Sequence, residues 1–290
     1  MNPLISIIIP SYNHAHFLAR ALESVMSQTY ANWEVIIVDN HSEDNTDQVI
    51  SNFNDSRISL LKIHNEGVIA RSRNKGVLAS RGEWIAFLDS DDWWKAEKLS
   101  ACVVLMDQPC DLIFHDLKIE RQETKLIAGK YRLGRTLTKP ITTDLLVNGN
   151  PISTTSVLVR KDMLMKVQLM DESVGMVAAE DFNCWLKIAE KNGNFVHLPQ
   201  VLGYYFIHTQ GMSKRDISES VHNASESFSK NLNQEQYKRY QSHIVFASAR
   251  FAFLNKQFRE AIPRLKYCFR YGTFSVRLSS LYMLLVALAK

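Results

Sequence analysis

Between residues 4 and 89, short apolar runs alternate with stretches of helical spacing, and this alternation restricts the fold more than any other feature of the chain. Residues 4–9 (LISIII) form a near-continuous β-branched run closed by Pro10. Apolar residues in unbroken succession suit a strand buried on both faces of a parallel sheet. In residues 11–30, Phe17, Leu18, Ala21, Leu22, Val25 and Met26 recur at three-and-four spacing, with Asn13 or His14 at the helix start. A second run, residues 33–38 (WEVIIV), ends at Asp39, and a loop rich in capping residues from Ser42 to Asp47 passes into a helix. Residues 58–63 read as a third strand, 67–80 as a helix, and 84–88 as a fourth strand that runs into Asp89. Three such alternations call for an α/β fold, a mostly parallel sheet with helices on both faces.

In an open sheet of this kind ligands bind beyond the carboxyl ends of the strands, so Pro10 to Tyr12, Asp39 and Asp89 are expected along one crevice. An aspartate at the end of the second strand suits hydrogen bonding to a base or ribose. The fourth strand ends most abruptly, in the stretch GEWIAFLDSDDWW (82–94), with Asp89, Asp91 and Asp92 inside four residues. Three neighbouring carboxylates repel one another and cannot all be buried unpaired. A hard divalent ion, Mg²⁺ or Mn²⁺, takes such oxygen ligands and commonly bridges them to substrate phosphates. The competing reading is an acidic strand-to-helix loop whose aspartates cap the next helix. Neither G-x-G-x-x-G nor a Walker-type glycine loop is present, which excludes a standard dinucleotide or P-loop site.

A hydrophobic fraction of 46% provides an ordinary core, and 290 residues hold one large domain or a main domain with an accessory one. The net charge of +4 is mild and no Lys/Arg-rich block appears, so no nucleic-acid partner is expected. Cys102, Cys110, Cys184 and Cys268 have no metal-like spacing and read as reduced, buried thiols. The start MNPLISIIIP lacks the charged segment of a signal peptide, and no run of about 18 apolar residues occurs. The expected compartment is cytoplasmic.

The order ISIIIPSYNHAHFLARALESVMSQTY, VIIVDNHSEDNT, NEGVIARSRNKG and GEWIAFLDSDDWW, spread over about the first 100 residues, resembles the family 2 inverting glycosyltransferases of the GT-A fold. The resemblance implies a nucleotide-diphospho-sugar donor, most often a UDP-sugar. It places Pro10, Tyr12 and Asp39 around the base and ribose, with Asp39 meeting the base, and Arg73 near the donor phosphates. The bland reading of Arg71 and Arg73 is that of solvated helix arginines. Asp89-Ser90-Asp91 becomes a DxD-type motif with Asp91 the direct metal ligand and Asp89 beside it, and Asp92 falls near the donor sugar hydroxyls.

Beyond residue 100 the pattern loosens. Residues 111–115 read as a strand, 118–130 as a charged strand or hairpin, 131–156 as loop-rich, and 156–159 as a return to strand. The family resemblance puts much of the acceptor surface there. In MVAAEDFNCWLKIAEKNG (176–193), Phe182, Trp185, Leu186, Ile188 and Ala189 have helical spacing, and Gly193 is the stop. Glu180 and Asp181 thus fall at a helix N-terminus, where the dipole stabilises carboxylates. From the residues alone these are capping acids. The resemblance instead assigns them to catalysis, Asp181 as the base with Glu180 next. The stretch VLGYYFIHTQGMSK resembles the family's aromatic–His–Ser segment. That likeness makes His208 a contact for diphosphate or metal and Ser213, Lys214 and Arg215 a closing lid. The plain alternative for His208 is a structural hydrogen bond, and Phe206 stands where an arginine often follows the tyrosine.

Tyr237, Tyr240, Ile244, Phe251, Leu254 and Phe258 keep helical spacing, and Ala261, Ile262 and Leu265 begin another helix after a break near Asn255. The expected division is a GT-A domain over 1–215 and a C-terminal helical region over 216–290. The apolar end FSVRLSSLYMLLVALAK has two readings: a helix packed on the core or a dimer partner, or a peripheral membrane contact. The second suits a lipid-linked acceptor on the inner face of the cytoplasmic membrane. The expected function is metal-dependent inverting sugar transfer to a hydroxyl of a glycan or lipid-linked glycan. A nucleotidyltransferase would carry a glycine- and basic-rich loop where PSYNHAHF stands. A non-catalytic nucleotide-sugar-binding protein would have no need of the full set of carboxylates.

Overall fold

A computed structural model describes residues 2–122, 131–208 and 215–289. The chain divides into two compact units, one of residues 1–137, 151–172 and 187–210, the other of residues 138–150, 173–186 and 211–290.

The first unit opens with β1 (Ile5–Ser11), α1 (Ala15–Met26), β2 (Trp33–Asp39), α2 (Thr46–Ser51), β3 (Ile58–Lys62), α3 (Ile69–Ala79) and β4 (Trp84–Phe87). All seven residues of β1 and of β2 are buried, as unbroken apolar runs require. These strands pair in parallel in the order β3-β2-β1-β4. The chain continues through β5 (Trp93–Trp94), α4 (Lys98–Val103), β6 (Leu112–Arg121), β7 (Tyr131–Arg132), α5 (Ile141–Asn148), β8 (Leu158–Arg160), α6 (Lys161–Lys166), α7 (Glu180–Glu190) and β9 (Phe195–Ile207). Here the sheet turns mixed: β8 runs antiparallel to β4 and β6, β9 parallel to β6, and β5 antiparallel to β9. The core lies between the sheet and α1, where Leu18, Leu22 and Val25 pack against Ile5, Ile7, Ile9, Trp33 and Trp94. On α3, Gly76 lets the helix approach β1 closely, since a Cβ there would meet Ile8 Cγ2 at 2.5 Å.

Pro10 does not end the first strand, because β1 continues to Ser11 with Pro10 opposite Val38. Ile8 O accepts from Leu88 N–H, so the even-numbered residues of β1 face β4, and β4 has ended before it reaches Pro10. The missing N–H therefore costs no ladder bond. The strand expected at 111–115 is instead ten residues long, and β6 absorbs the start of the charged stretch; residues 123–130 lie outside the described residues. The stretch read as loop-rich contains α5, set off by Pro140 before it and Gly149 after it.

The second unit is helical. After α5 and the start of α7 come α8 (Ser218–Ser225), α9 (Gln234–Leu254), α10 (Phe258–Tyr271) and α11 (Phe274–Leu288). Asn233 and Gln236 form a reciprocal capping box at the start of α9. Ala249, Ala252, Ala261, Leu265 and Leu284 make a small core among the last three helices. All four cysteines are buried, and among the described residues no disulfide joins them. Among the described residues, no helix is long and apolar enough to cross a membrane.

Candidate active site

Because β1, β2 and β4 are parallel, their C-terminal ends deliver Ser11 and Tyr12, Asp39, and Asp89 to the same rim. The loops there are tied to each other. Asn13 N–H donates to Ser42 Oγ at 2.8 Å, and Ala15 N–H, at the open start of α1, donates to Asp44 Oδ2 at 2.9 Å. The second contact places a carboxylate on the positive end of the helix dipole.

At this rim Asp39 is closed off. Its Oδ2 accepts from Ser42 N–H and from Lys62 Nζ, both at 2.9 Å, and its Oδ1 from the Ser42 hydroxyl. The carboxylate is fully buried. Pro10 is buried in β1, whereas Tyr12 is half exposed, and the rings of His41 and His64 stack at 3.8 Å on the outer side of the same corner.

The Asp89–Asp92 turn is different in kind. Arg73, buried on α3, donates to Asp89 Oδ1 at 2.8 Å, so the reading of Arg73 as a solvated arginine does not hold. Arg71, two residues earlier, does lie on the surface and pairs with Glu66 and Glu172. Ser90 is buried, with its Oγ 2.8 Å from His14 Nδ1. Asp91 Oδ2 lies 2.8 Å from His208 Nε2. Burial and the neighbouring Asp89 raise the Asp91 pKa against the opposing pull of His208 and His14. Asp92 points inward, and its Oδ1 accepts from Phe206 N–H at 2.8 Å. Burial above all, then Asp91 and Asp89, holds its pKa well above the usual carboxylate range, with the Thr155 hydroxyl pulling the other way. Thr155 Oγ1 also accepts from Asp89 N–H at 3.2 Å. Three carboxylates thus crowd together among the Arg73 and Arg20 guanidiniums and the His14 and His208 imidazoles.

Residues that the sequence offered only as parts of a helix complete this corner. His14, Phe17 and Arg20 recur every three residues along the first two turns of α1 and lie on one face. The Phe17 ring lies 4.7 Å from that of His208. The Arg20 guanidinium sits 3.6 Å from the Trp93 ring centroid and 4.8 Å from that of Phe206, and it donates to Asp91 O at 3.1 Å. Phe206 supplies its ring face and its backbone N–H, and the guanidinium on that face comes from Arg20 of α1. The available signal was a polar and aromatic stripe at i, i+3, i+6 beside the apolar positions of the same helix.

Glu180 and Asp181 stand in the first turn of α7, in the second unit. Glu180 is buried and Asp181 half buried, its Oδ1 accepting from Phe182 N–H at 2.6 Å. Ser213 and Lys214 of the expected lid lie outside the described residues, and Arg215 is exposed. Among the described residues, no group of three or more His, Cys, Asp and Glu side chains is placed to hold a metal ion by itself.

A family model described as "Glycosyl transferase family 2" matches residues 6–168. The chain belongs to glycosyl transferase family 2. It is 35% identical over 189 residues to the Escherichia coli UDP-Glc:alpha-D-GlcNAc-diphosphoundecaprenol beta-1,3-glucosyltransferase WfgD, covering 65% of this chain and 71% of that protein. Its fold is that of GT-A glycosyltransferases. The crystal structure of S. aureus TarS 1-349 in complex with UDP-GlcNAc superposes with a TM-score of 0.65 at 18% identity, over 92% of this chain and 81% of that one. A Pyrobaculum calidifontis mannosyltransferase, PcManGT, in complex with GDP-Man and Mn2+, gives 0.65 at 16% identity over 99% and 81%. The protein is a family 2 glycosyltransferase, and the Asp89–Asp92 turn lies inside the matched span.

Proposed function

We propose that this family 2 glycosyltransferase is a metal-dependent, inverting enzyme that moves a sugar from a UDP-sugar to a hydroxyl of a lipid-linked glycan. One observation carries the reading: Asp89, Asp91 and Asp92 crowd within four residues, burial and mutual repulsion raising the pKa of Asp91 and Asp92, at the strand ends where α/β sheets bind ligands. The E. coli relative, which acts from UDP-Glc on an undecaprenol-linked acceptor, supports the donor nucleotide and the acceptor class. A lipid-linked acceptor would set the reaction at a membrane face, and we place it at the inner face of the cytoplasmic membrane.

Asp91 and Asp89 would hold Mg²⁺ or Mn²⁺, with His208 beside them. So sparse a set suits an ion whose remaining ligands are diphosphate oxygens and water. When bound, that ion neutralises the leaving diphosphate. Pro10, Tyr12 and Asp39 form the corner that receives the base and ribose, Asp39 steadying it through Ser42 and Lys62, while Arg73 orients Asp89 and His14 steadies Ser90. Asp92 fixes β9 through Phe206 N–H at the margin of the donor-sugar site. Asp181, with Glu180 next, is the base by its place in the family pattern. The acceptor hydroxyl gives its proton to that carboxylate as its oxygen bonds to the anomeric carbon, and the bond to the UDP β-phosphate oxygen breaks. A single displacement inverts the anomeric centre without a covalent sugar–enzyme intermediate.

The test is a thermal-shift panel of UDP, GDP, CDP and ADP with Mn²⁺ or with EDTA, followed by UDP release from UDP-sugars with a polyprenyl-diphosphate-linked GlcNAc acceptor. A ligand bound only by the native state raises the melting temperature as its concentration exceeds Kd. The expected result is a shift with UDP and Mn²⁺ together, and acceptor-dependent UDP release that EDTA stops. Full UDP binding in EDTA overturns the metal role, and a shift with another nucleotide instead overturns the donor.

A further inference from the structure

The last helix is apolar on both sides. Val276, Ser280, Leu284 and Ala287 are buried, with Leu284 in the core shared with α9 and α10. On the opposite side Phe274, Leu278, Leu281, Leu285 and Leu288 are all exposed, Phe274 at 82% and Leu288 at 65%. They follow one another at spacings of four, three, four and three, which at 3.6 residues per turn confines them to an arc of about 80°. Tyr282 borders the stripe, half exposed, with the amphipathic character that suits a boundary between water and hydrocarbon. A helix that faced only water on this side would present polar residues there.

Charge decides what covers the stripe. Residues 256–290 contain seven Lys/Arg and one glutamate, a net of +6, which leaves −2 for the other 255 residues. Arg277 reaches back to the carbonyls of Gly272 (2.8 Å) and Arg270 (3.1 Å), fixing its guanidinium beside the first turn of the stripe. Arg270, Arg277, Lys238 and Arg239 line a cleft of about 290 Å³ in which Glu235 is the one acid. A second copy meeting this face would bring another +6 segment against the first. A bilayer containing anionic phospholipids supplies hydrocarbon for the leucines and negative charge for the guanidiniums.

We propose that the α10–α11 end of the second unit is a membrane-docking surface, with the Phe274–Leu288 stripe laid into the headgroup region of an anionic bilayer and the basic residues beside it on lipid phosphates. Docking requires no sugar transfer, so its failure leaves the transferase reading standing.

The full chain is sedimented with vesicles of phosphatidylcholine alone and of phosphatidylcholine mixed with phosphatidylglycerol. Binding to the mixed vesicles, weakened by salt, and little binding to the neutral ones is expected. Leu278→Glu with Leu285→Glu should lower the affinity at least about a hundredfold. Lys266→Gln with Arg270→Gln, at exposed sites on α10, should lower it about thirtyfold. Both variants should keep the parent melting temperature. Equal binding to both vesicle types, or to neither, overturns the proposal. A dimer in solution that the leucine variant dissolves, without vesicle binding, would assign the face to a second copy.

Discussion

Two strand ends on one rim carry buried acids and treat them in opposite ways. Asp39 has a lysine, a hydroxyl and a backbone N–H on its two oxygens, and the corner is electrostatically closed. Asp89, Asp91 and Asp92 lie among Arg73, Arg20, His14 and His208, and the pKa values of Asp91 and Asp92 are nonetheless both raised. The contrast separates an acid whose charge is answered atom by atom from acids whose mutual repulsion persists. A carboxyl whose pKa is raised on folding binds its proton more tightly in the native state. Its stabilising contribution is present below the ordinary carboxylate range and is lost as pH climbs through the raised value. Rising pH therefore weighs against the folded turn, and the cation proposed above would offset that repulsion.

The largest expected effect follows directly. Asp91→Asn should reduce sugar transfer about 10²- to 10³-fold, the scale of losing one main source of leaving-group stabilisation. Without divalent ions the same variant should melt no lower than the parent, because one of three mutually repelling charges is gone. Retained activity, or a fall in the metal-free melting temperature, would merge the two corners into one structural class. Asp39→Ala tests the other side. Loss of a buried, fully partnered carboxylate leaves the Ser42 N–H unanswered and Lys62 with only the exposed Asp47, and should cost about 2–3 kcal/mol in denaturant unfolding, with or without cation.

The parallel half of the sheet was legible because each strand is buried on both faces and is written in consecutive Ile, Val and Leu. The mixed half was not. β9 is thirteen residues long with an intermediate or exposed face along much of its length, and it pairs with β6 across a bulge at His115/Asp116 that breaks any simple alternation. At the site, the acids of the Asp89–Asp92 turn were visible because repelling charges in sequence remain neighbours in space. Arg20 was invisible for the opposite reason. It reaches Trp93 and Asp91 O from about 70 residues away, and nothing local to either segment records that contact.

Lys98 extends the comparison to a buried cation. It is fully buried, its Nζ lies 3.4 Å from the Trp94 ring centroid, and burial lowers its pKa to about 7. A base whose pKa is depressed on folding loses stability as pH falls from the lysine range towards that value, because the unfolded chain takes up the proton first. Lys98→Met should therefore stabilise the protein by about 2 kcal/mol at about pH 6, with the gain shrinking at about pH 10. Denaturant unfolding at the two pH values measures this directly. A gain that does not change with pH would mean that packing, rather than charge burial, sets the cost.

The smallest effect is also the finest test of the contrast, because it concerns two arginines two residues apart on α3. Arg73 is buried against Asp89, while Arg71 reaches out to Glu66, itself 73% exposed, and Glu172. An exposed pair exchanges solvation for a screened attraction and gains little. Arg71→Ala should leave the melting temperature and the transfer rate at their parent values across salt concentrations. Arg73→Ala removes a guanidinium from the Asp89 side chain and leaves more uncompensated negative charge in the turn, so it should lower the cation concentration needed for half-maximal activity. Equal behaviour of the two variants would mean that burial beside the carboxylates does not distinguish them. A shift confined to Arg73 places the boundary between surface and site within a single turn of one helix.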